Sequence, residues 1–277
     1  MAGIIRQPIG ILDSGLGGLT VLADLVSSLP GEHYIYYADT QFAPYGEKSR
    51  DIVRKRVMEI SRNLCKYHIK ILVIACNTAT SAAAEYLRSE LSIPVVGMEP
   101  ALKLAVTAKS NQTIVVAATP LTIKAEKFRS LSQTVKGHHR VIPMPCHGLV
   151  ELIESVGPDS PLIDHKLQEL MEPHAYQLIH QLVLGCTHYV LIRSKWEQLL
   201  GPETRLVDGN AGTVRQTLRL LGASDSEERP NDAPIAAEIT LINSKQSVSQ
   251  RKRYREVLLD QLNRRNITPG MITINEE

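Results

Sequence analysis

Two apolar runs in this chain each end at a cysteine, and a segment of helical character follows each. The first run, residues 71–75, stops at Cys76, and the second stops just before Cys186. Short continuous apolar runs predict strands buried on both faces, and Asn77 with Thr78 can cap a helix over 79–91. A thiol at a helix start lies in the positive end of the helix dipole, which favours the thiolate. We therefore expect the rest of the chain to turn these two thiols toward each other.

Strand and helix patterns alternate along most of the chain, which predicts an α/β fold with mainly parallel sheets and helices on both faces. Helices are predicted over 19–29, 50–68, 121–131, 149–156, 162–179, 191–200, 211–221 and 251–263. The matching strands are predicted at 8–13, 33–39, 71–75, 94–98, 113–118, 140–144, the run before Cys186, 204–207 and 238–242.

The order of these patterns repeats within the chain. Cys76 lies 20 positions before Val96, and Cys186 lies 21 positions before Val207. We expect two pseudo-symmetric doubly wound domains, one of residues 1–98 with 208–277 and one of residues 99–207. The alternative is two unrelated α/β domains that share the same alternation of strands and helices. In either case four residues lie at the carboxyl ends of strands, where ligands bind in such folds: Asp13, Cys76, Thr119 and Cys186.

The bulk properties exclude several classes of protein. The net charge is +2 and aromatic residues make up only 4%, so nucleic acid is not an expected partner. No apolar run approaches the roughly 20 residues that span a bilayer, and residues 1–10 do not resemble a secretory signal. Four cysteines without a CxxC pair indicate free thiols and a cytoplasmic protein. The basic cluster at 251–255 is interpreted as the solvated start of a helix.

Two thiols on opposing walls of a cleft suit the inversion of a carbon stereocentre. One base removes the proton from one face, and a second group returns a proton to the other face. His188 could tune the Cys186 thiol or donate to a carboxylate, and Asp13 with Ser14 could bind an amino group or orient the base. The alternatives are a structural His188, an Asp13 that only caps a helix, and cysteines that are merely small apolar residues.

The sequence also offers weaker signs of a phosphate-binding site and of a zinc site. The glycine-rich turn at 14–18 resembles a phosphate-binding turn, but its spacing is not that of a dinucleotide site. Cys146, His147, Cys186 and His188 could supply four zinc ligands, although Cys76 would then have no role. No lysine motif for pyridoxal phosphate is evident, so no cofactor and no metal are expected.

Five short motifs together resemble those of the glutamate racemase family, within the wider aspartate/glutamate racemase superfamily. They are GILDSGLGG at 10–18, PYG at 44–46, ACNTA at 75–79, LGCTHY at 184–189 and VDG at 207–209. The resemblance covers residues from about 8 to about 215, in order and at family-like spacing.

The resemblance implies cofactor-independent interconversion of L- and D-glutamate, which supplies D-glutamate for peptidoglycan, in a cleft between two domains. It implies that Cys76 and Cys186 are the bases, assisted by Asp13 and His188, with Cys76 acting on the D-substrate and Cys186 on the L-substrate. The substrate-binding positions it implies are Asp13, Ser14, Tyr45, Gly46, Asn77, Thr78, Thr119, Thr122, Thr187 and His188.

The chain departs from the family pattern at a few places. Val190 stands where the family often has proline, and the segment after Cys146 matches only loosely. By spacing, Glu154 fits the family's downstream glutamate better than Glu151, and residues beyond about 222 carry no recognised motif. An aspartate or other small amino-acid racemase, a non-catalytic binding protein and, last, a zinc hydrolase are the alternatives. The sequence leaves a homodimer open.

Overall fold

The computed structural model describes residues 7–98, 101–106, 111–135, 137–175, 177–223, 236–245, 247–267 and 272–276. The expectation about a secretory signal concerns residues 1–10, of which the first six lie outside these ranges. Among the described residues, no helix is both long and apolar enough to cross a membrane.

The strands form two sheets, and every strand pairing in the described part of the chain is parallel. The six-stranded sheet has the order β10 (Ile272–Glu276), β9 (Ala237–Asn243), β2 (His33–Ala38), β1 (Ile9–Asp13), β3 (Ile71–Ile74), β4 (Val95–Gly97). The four-stranded sheet has the order β6 (His139–Pro145), β5 (Gln112–Ala118), β7 (Gln181–Leu184), β8 (Arg205–Asp208).

The two sheets share one topology. The order β2-β1-β3-β4 in the first matches β6-β5-β7-β8 in the second, so β1 is equivalent to β5 and β3 to β7. The central strands β1, β3 and β7 are buried along their whole length, which explains their continuous apolar sequences. The predicted two-sheet α/β architecture is therefore confirmed.

Helices connect and cover the strands. They are α1 (Leu19–Ser28), α2 (Arg50–Cys65), α3 (Asn77–Glu90), α4 (Ala101–Ala105), α5 (Pro120–Lys124), α6 (Glu126–Thr134), α7 (Leu149–Val156), α8 (Pro161–Met171), α9 (Thr187–Leu191), α10 (Arg193–Leu200), α11 (Asn210–Leu221) and α12 (Val248–Asn263). Helices α11 and α12 both pack on α1, so the end of the chain returns to the six-stranded sheet.

Several predicted boundaries differ from the structure for local reasons. The helix predicted over 121–131 is two helices, because the backbone of Ala125 is extended between α5 and α6. The helix predicted to reach 179 ends at Met171, followed by a short 3₁₀ turn that contains Pro173. Strand β10 was not predicted, because its side chains are only partly buried and give no clear apolar signal.

A buried ion pair fixes the loop that carries the PYG motif. Arg56 donates to both carboxylate oxygens of Asp39, at 2.8 and 2.9 Å, and the Tyr45 hydroxyl donates to the same carboxylate at 2.7 Å. The Asp39 side chain is fully buried. The Arg56 guanidinium also lies over the ring of Phe42, 4.5 Å from its centroid. These contacts hold the 3₁₀ turn Tyr45–Glu47 against the sheet.

The substitution Arg56→Met should therefore lower the free energy of unfolding by about 3–5 kcal/mol, because it leaves the Asp39 carboxylate buried without its cation. Urea unfolding would measure the change. The matched control is Arg54→Met, whose partner Asp51 is exposed, and which should cost less than about 1 kcal/mol. Equal losses for the two variants would contradict this account of the loop.

Candidate active site

The functional residues lie at the carboxyl ends of four strands. Asp13 is the last residue of β1, Cys76 follows β3, Thr119 follows β5 and Cys186 follows β7. All four side chains are buried. Because β1 is equivalent to β5 and β3 to β7, Asp13 corresponds to Thr119 and Cys76 to Cys186. The two sheets thus present equivalent edges to one shared site.

Cys76 is itself the N-cap of α3. Its Sγ accepts a hydrogen bond from the backbone N–H of Ala79 at 3.4 Å, and the hydroxyl of Ser14 lies 3.8 Å away. The expectation that Asn77 and Thr78 cap this helix is wrong, because the helix begins at Asn77.

The structure bears on the ionisation of Cys76, which the sequence leaves open. Burial, with the nearby charges of Asp13 and Cys186, raises the pKa of Cys76 to about 12, whereas the hydrogen bonds from Ala79 and Ser14 lower it. The helix N-terminus does favour the thiolate, but the loss of solvation outweighs it. Cys76 is therefore a neutral thiol at neutral pH.

Asp13 joins the two sheets through its carboxylate. It accepts hydrogen bonds from the Gly15 N–H at 2.8 Å, the Ser14 hydroxyl at 3.2 Å and the Thr187 hydroxyl at 3.1 Å. Thr187 belongs to α9, beside the second sheet. Burial raises the pKa of Asp13 to about 6, although the nearby charge of His188 and the hydrogen bonds from Gly15 and Thr187 lower it. Asp13 is thus a carboxyl group that titrates close to neutral pH.

The glycine-rich turn after β1 is needed for close packing. A Cβ on Gly15 would lie 1.9 Å from Oε1 of Glu154, and one on Gly17 would lie 2.5 Å from the backbone nitrogen of His188. Both distances are shorter than any atom contact allows. Glycine at these two positions therefore lets residues beside the second sheet approach the turn. Nothing in this contact requires a phosphate.

His188 links Cys186 to Glu154. Its Nδ1 lies 3.9 Å from Cys186 Sγ, and its Nε2 lies 2.7 Å from Glu154 Oε1. The same Glu154 oxygen accepts the backbone N–H of Leu16 at 2.7 Å. Burial alone would lower the pKa of His188, but its hydrogen bonds and the negative charges of Cys186 and Glu154 raise it well above the ordinary value. The imidazole is therefore held as a cation beside the Cys186 thiol.

Three threonine hydroxyls form a cluster across the opposite side of the site. Thr78 of α3 lies 2.9 Å from Thr119 and 3.2 Å from Thr122, and Thr119 donates to Thr122 at 2.9 Å. Gly46 packs against the Thr119 side chain. The cluster brings hydroxyl donors from both sheets to one place.

The other residues predicted for the site occupy different positions. Asn77 is half-buried at the start of α3, and the hydroxyl of the buried Tyr45 donates to Asp39. Cys146 packs in the core, where its thiol donates to the Met144 carbonyl.

The zinc alternative finds no support in the geometry. His147 is exposed and faces Glu47, whereas His188 is buried against Glu154. Within the described ranges, no group of three or more His, Cys, Asp or Glu side chains converges as metal ligands would.

The sequence did not reveal two supporting contacts. Glu154 was only a loose match by spacing, and its bond to the Leu16 N–H joins residues 138 positions apart. The hydroxyl of Tyr36 donates to the carbonyl of Gly15 at 2.6 Å and so holds the glycine-rich turn from below. No local pattern marks either contact, because both depend on the packing of separate elements.

Comparisons with known proteins agree with this arrangement. Residues 9–217 match the Asp/Glu/Hydantoin racemase family. A glutamate racemase of Clostridium perfringens is 42% identical over 223 residues, which cover 80% of this chain and 86% of that protein.

Solved structures give the same result. A glutamate racemase of Bacillus anthracis superposes with a TM-score of 0.80 at 27% identity, covering 98% of this chain and 97% of that one. The Escherichia coli glutamate racemase, solved in complex with L-glutamate, gives 0.79 at 29% identity, covering 98% of both chains. This chain therefore belongs to the Asp/Glu/hydantoin racemase family, and within that family it is one of the glutamate racemases.

Proposed function

We propose that this protein interconverts L- and D-glutamate without a cofactor and that Cys76 and Cys186 are its two acid–base groups. The observation that carries the assignment of the thiols is their placement after the equivalent strands β3 and β7. Their charges interact, since a negative charge on Cys186 raises the pKa of Cys76. Two thiols that share one site can serve the two faces of a single substrate carbon.

Each turnover moves one proton off the α-carbon and another proton onto it. In the L-to-D direction the Cys186 thiolate takes the α-proton, and the electron pair left behind delocalises into the α-carboxylate. The Cys76 thiol then gives its proton to the opposite face of the carbon. In the D-to-L direction the two thiols exchange these roles. No step requires an external oxidant or a metal.

Different neighbouring groups assist proton transfer at each thiol. The imidazolium of His188, held by Glu154, attracts negative charge on Cys186. Near Cys76, the Ser14 hydroxyl lies 3.8 Å from Cys76 Sγ and 3.2 Å from Oδ1 of Asp13, so the three groups form a hydrogen-bonded chain. This chain can carry the Cys76 proton when that thiol has to act as the base.

A dry site compensates for the weak acidity of the α-proton. Hydrogen-bond donors that are already oriented stabilise charge more strongly when water is excluded. We assign the substrate's carboxylates and ammonium group to these donors and acceptors: Asp13, Ser14, Tyr45, Gly46, Asn77, Thr78, Thr119, Thr122, Thr187 and His188. Ser14, Thr78, Thr119 and Thr187 are all buried, so their hydroxyls face little competition from water.

The cellular role follows from the product. D-Glutamate is a building block of peptidoglycan, so the enzyme supplies cell-wall synthesis. We place it in the cytoplasm as part of this proposal, supported by its four free thiols. The division into residues 1–98 with 208–277 and residues 99–207 is likewise proposed, supported by the distribution of strands between the sheets. A homodimer is the proposed assembly, and light scattering of the purified protein would test it.

The substitutions Cys76→Ser and Cys186→Ser should each lower kcat/KM by about 10²–10⁴-fold, because a serine hydroxyl is a poor acid–base group at neutral pH. The loss should be equal for L- and D-glutamate, since enantiomers have equal free energies and every turnover uses both thiols. Chiral chromatography of the product would measure it. Cys65→Ser, at the end of α2, is the matched control and should be fully active. Near-normal racemisation by either site variant would contradict the two-thiol assignment.

The substitution Asp13→Asn should stabilise the fold at high pH while it lowers activity. Folded Asp13 has a pKa of about 6, against an ordinary value of 3.8, so unfolding releases its proton between those values. The native state is therefore favoured below pH 3.8, and this advantage is lost as the pH rises to about 6. Above that pH, Asp13→Asn should be more stable than the wild type by roughly 3 kcal/mol.

Urea unfolding at several pH values would measure this difference. The difference in free energy of unfolding between Asp13→Asn and the wild type should be absent in acid and should grow as the pH rises. Asp51→Asn, at a highly exposed carboxylate, is the control and should show no such difference. A difference that does not change with pH would show that the burial of Asp13 is not costly.

A further inference from the structure

Arg253 of α12 reaches across to the end of α7. Its guanidinium donates to the backbone carbonyls of Ile153, at 3.3 Å, of Glu154, and of Ser155, at 3.1 Å. Helix α7 ends at Val156, so these carbonyls belong to its last turn, where the helix provides few partners of its own. A cation at this place also complements the negative end of the helix dipole. Arg253 therefore caps α7 from another part of the chain.

The capped turn carries a side chain of the site. Glu154 holds both the backbone of Leu16 and Nε2 of His188 through one carboxylate oxygen, each at 2.7 Å. A shift of the Glu154 backbone would move this acceptor away from the imidazole. The position of His188 beside Cys186 thus depends on where α7 ends.

Helix α12 is itself well anchored. Tyr254, the next residue, is buried, and its hydroxyl lies 3.0 Å from that of Thr40. The helix also packs on α1, which directly follows the glycine-rich turn. The interpretation of 251–255 as a solvated helix start is therefore wrong for these two residues, since Tyr254 is in the core and Arg253 contacts α7.

A closed ring of contacts results. It runs from α12 through α1 and the glycine-rich turn to Glu154, and back from the end of α7 through Arg253 to α12. The ring therefore joins α12, which packs beside the six-stranded sheet, to α7 beside the second sheet. The Glu154 side chain of α7 in turn holds His188 of α9. Arg253 closes the ring with three hydrogen bonds from two nitrogens of its planar guanidinium, a geometry that the single nitrogen of an ammonium group does not reproduce.

We propose that Arg253 is a positioning residue for the racemase reaction: by capping α7 it places Glu154, which orients His188 toward Cys186. This inference rests on the proposed function. Arg253 itself does not touch the substrate. Its contribution should therefore disappear when Glu154 can no longer hold the imidazole as a cation.

A double-mutant cycle tests this dependence. Arg253→Gln should lower kcat about 10-fold, with KM little changed, because a small misplacement of a catalytic group costs this much or more. In a Glu154→Gln background, the same substitution should cause no further loss. A residue that only supports the fold would lower kcat by the same factor in both backgrounds, and that outcome would overturn the proposal.

The pH profile gives a second readout. Among the described residues, three charged or titratable groups face His188: Glu154, Cys186 and Asp13. We expect kcat to fall at high pH, where His188 loses its proton. Because Glu154 helps to hold His188 in its charged form, this fall should occur at lower pH in Arg253→Gln. An unmoved profile would contradict the assigned role.

Arg255→Gln is the matched control on the same helix. The Arg255 side chain is about half exposed, and its ion-pair partner among the described residues is Glu276, at 3.7 Å, so the variant should keep wild-type kcat. A loss like that of Arg253→Gln would show a general effect of charge on α12 and would overturn the proposal.

A conservative variant covers the case in which Arg253→Gln does not fold. Arg253→Lys keeps the cation but cannot reach all three carbonyls, so it should retain more kcat than the glutamine variant and less than the wild type. The loss of kcat caused by Arg253→Lys should also vanish in the Glu154→Gln background. A loss of kcat that persists in that background would overturn the proposal. Wild-type protein that racemises neither enantiomer would instead refute the proposed function, which keeps the two failures distinguishable.

Discussion

The carboxylate of Asp13 is fully buried at the point where the two sheets meet, and much of the site depends on how it is held. The Gly15 N–H and Ser14 hydroxyl bind it from its own sheet, and the Thr187 hydroxyl binds it from the other. Burying a carboxylate is costly, and its pKa of about 6 reflects that cost. The cost is tolerated because the same burial keeps water away from the thiols. Asp13 thus belongs to the group of residues that trade stability for chemistry.

The glycine-rich turn makes this closure sterically feasible. With no side chains at Gly15 and Gly17, residues of the second sheet approach the backbone directly, and Glu154 reaches the Leu16 N–H. One apolar cluster accordingly spans both sheets and includes Leu16, in the turn after β1, and Ile153, in α7 beside the second sheet. The turn is therefore a packing surface between the two sheets. This contact also brings Glu154 and His188 to the edge of the site.

Part of this arrangement was predictable from the sequence. The apolar runs before Cys76 and Cys186 indicated two buried strands, and the repeated order of elements indicated two similar parallel sheets. Local patterns sufficed there, because strand burial and strand ends depend mainly on nearby residues. The ionisation of Cys76 could not be predicted from its helix, because burial by distant elements outweighs the local dipole. Glu154 and Arg253 act through contacts between residues about 100 or more positions apart, which no single-sequence pattern records.

The most direct test of the account is an isotope experiment. Purified protein free of metal and pyridoxal phosphate is incubated with L-glutamate in D₂O, and the earliest products are separated by chirality and weighed by mass spectrometry. With two thiols on opposite faces, the new D-glutamate should carry deuterium at the α-carbon, because its proton comes from a solvent-exchanged Cys76. The remaining L-glutamate should stay unlabelled at early times. D-Glutamate that retains the original proton, or the absence of any D-glutamate, would contradict the two-thiol mechanism.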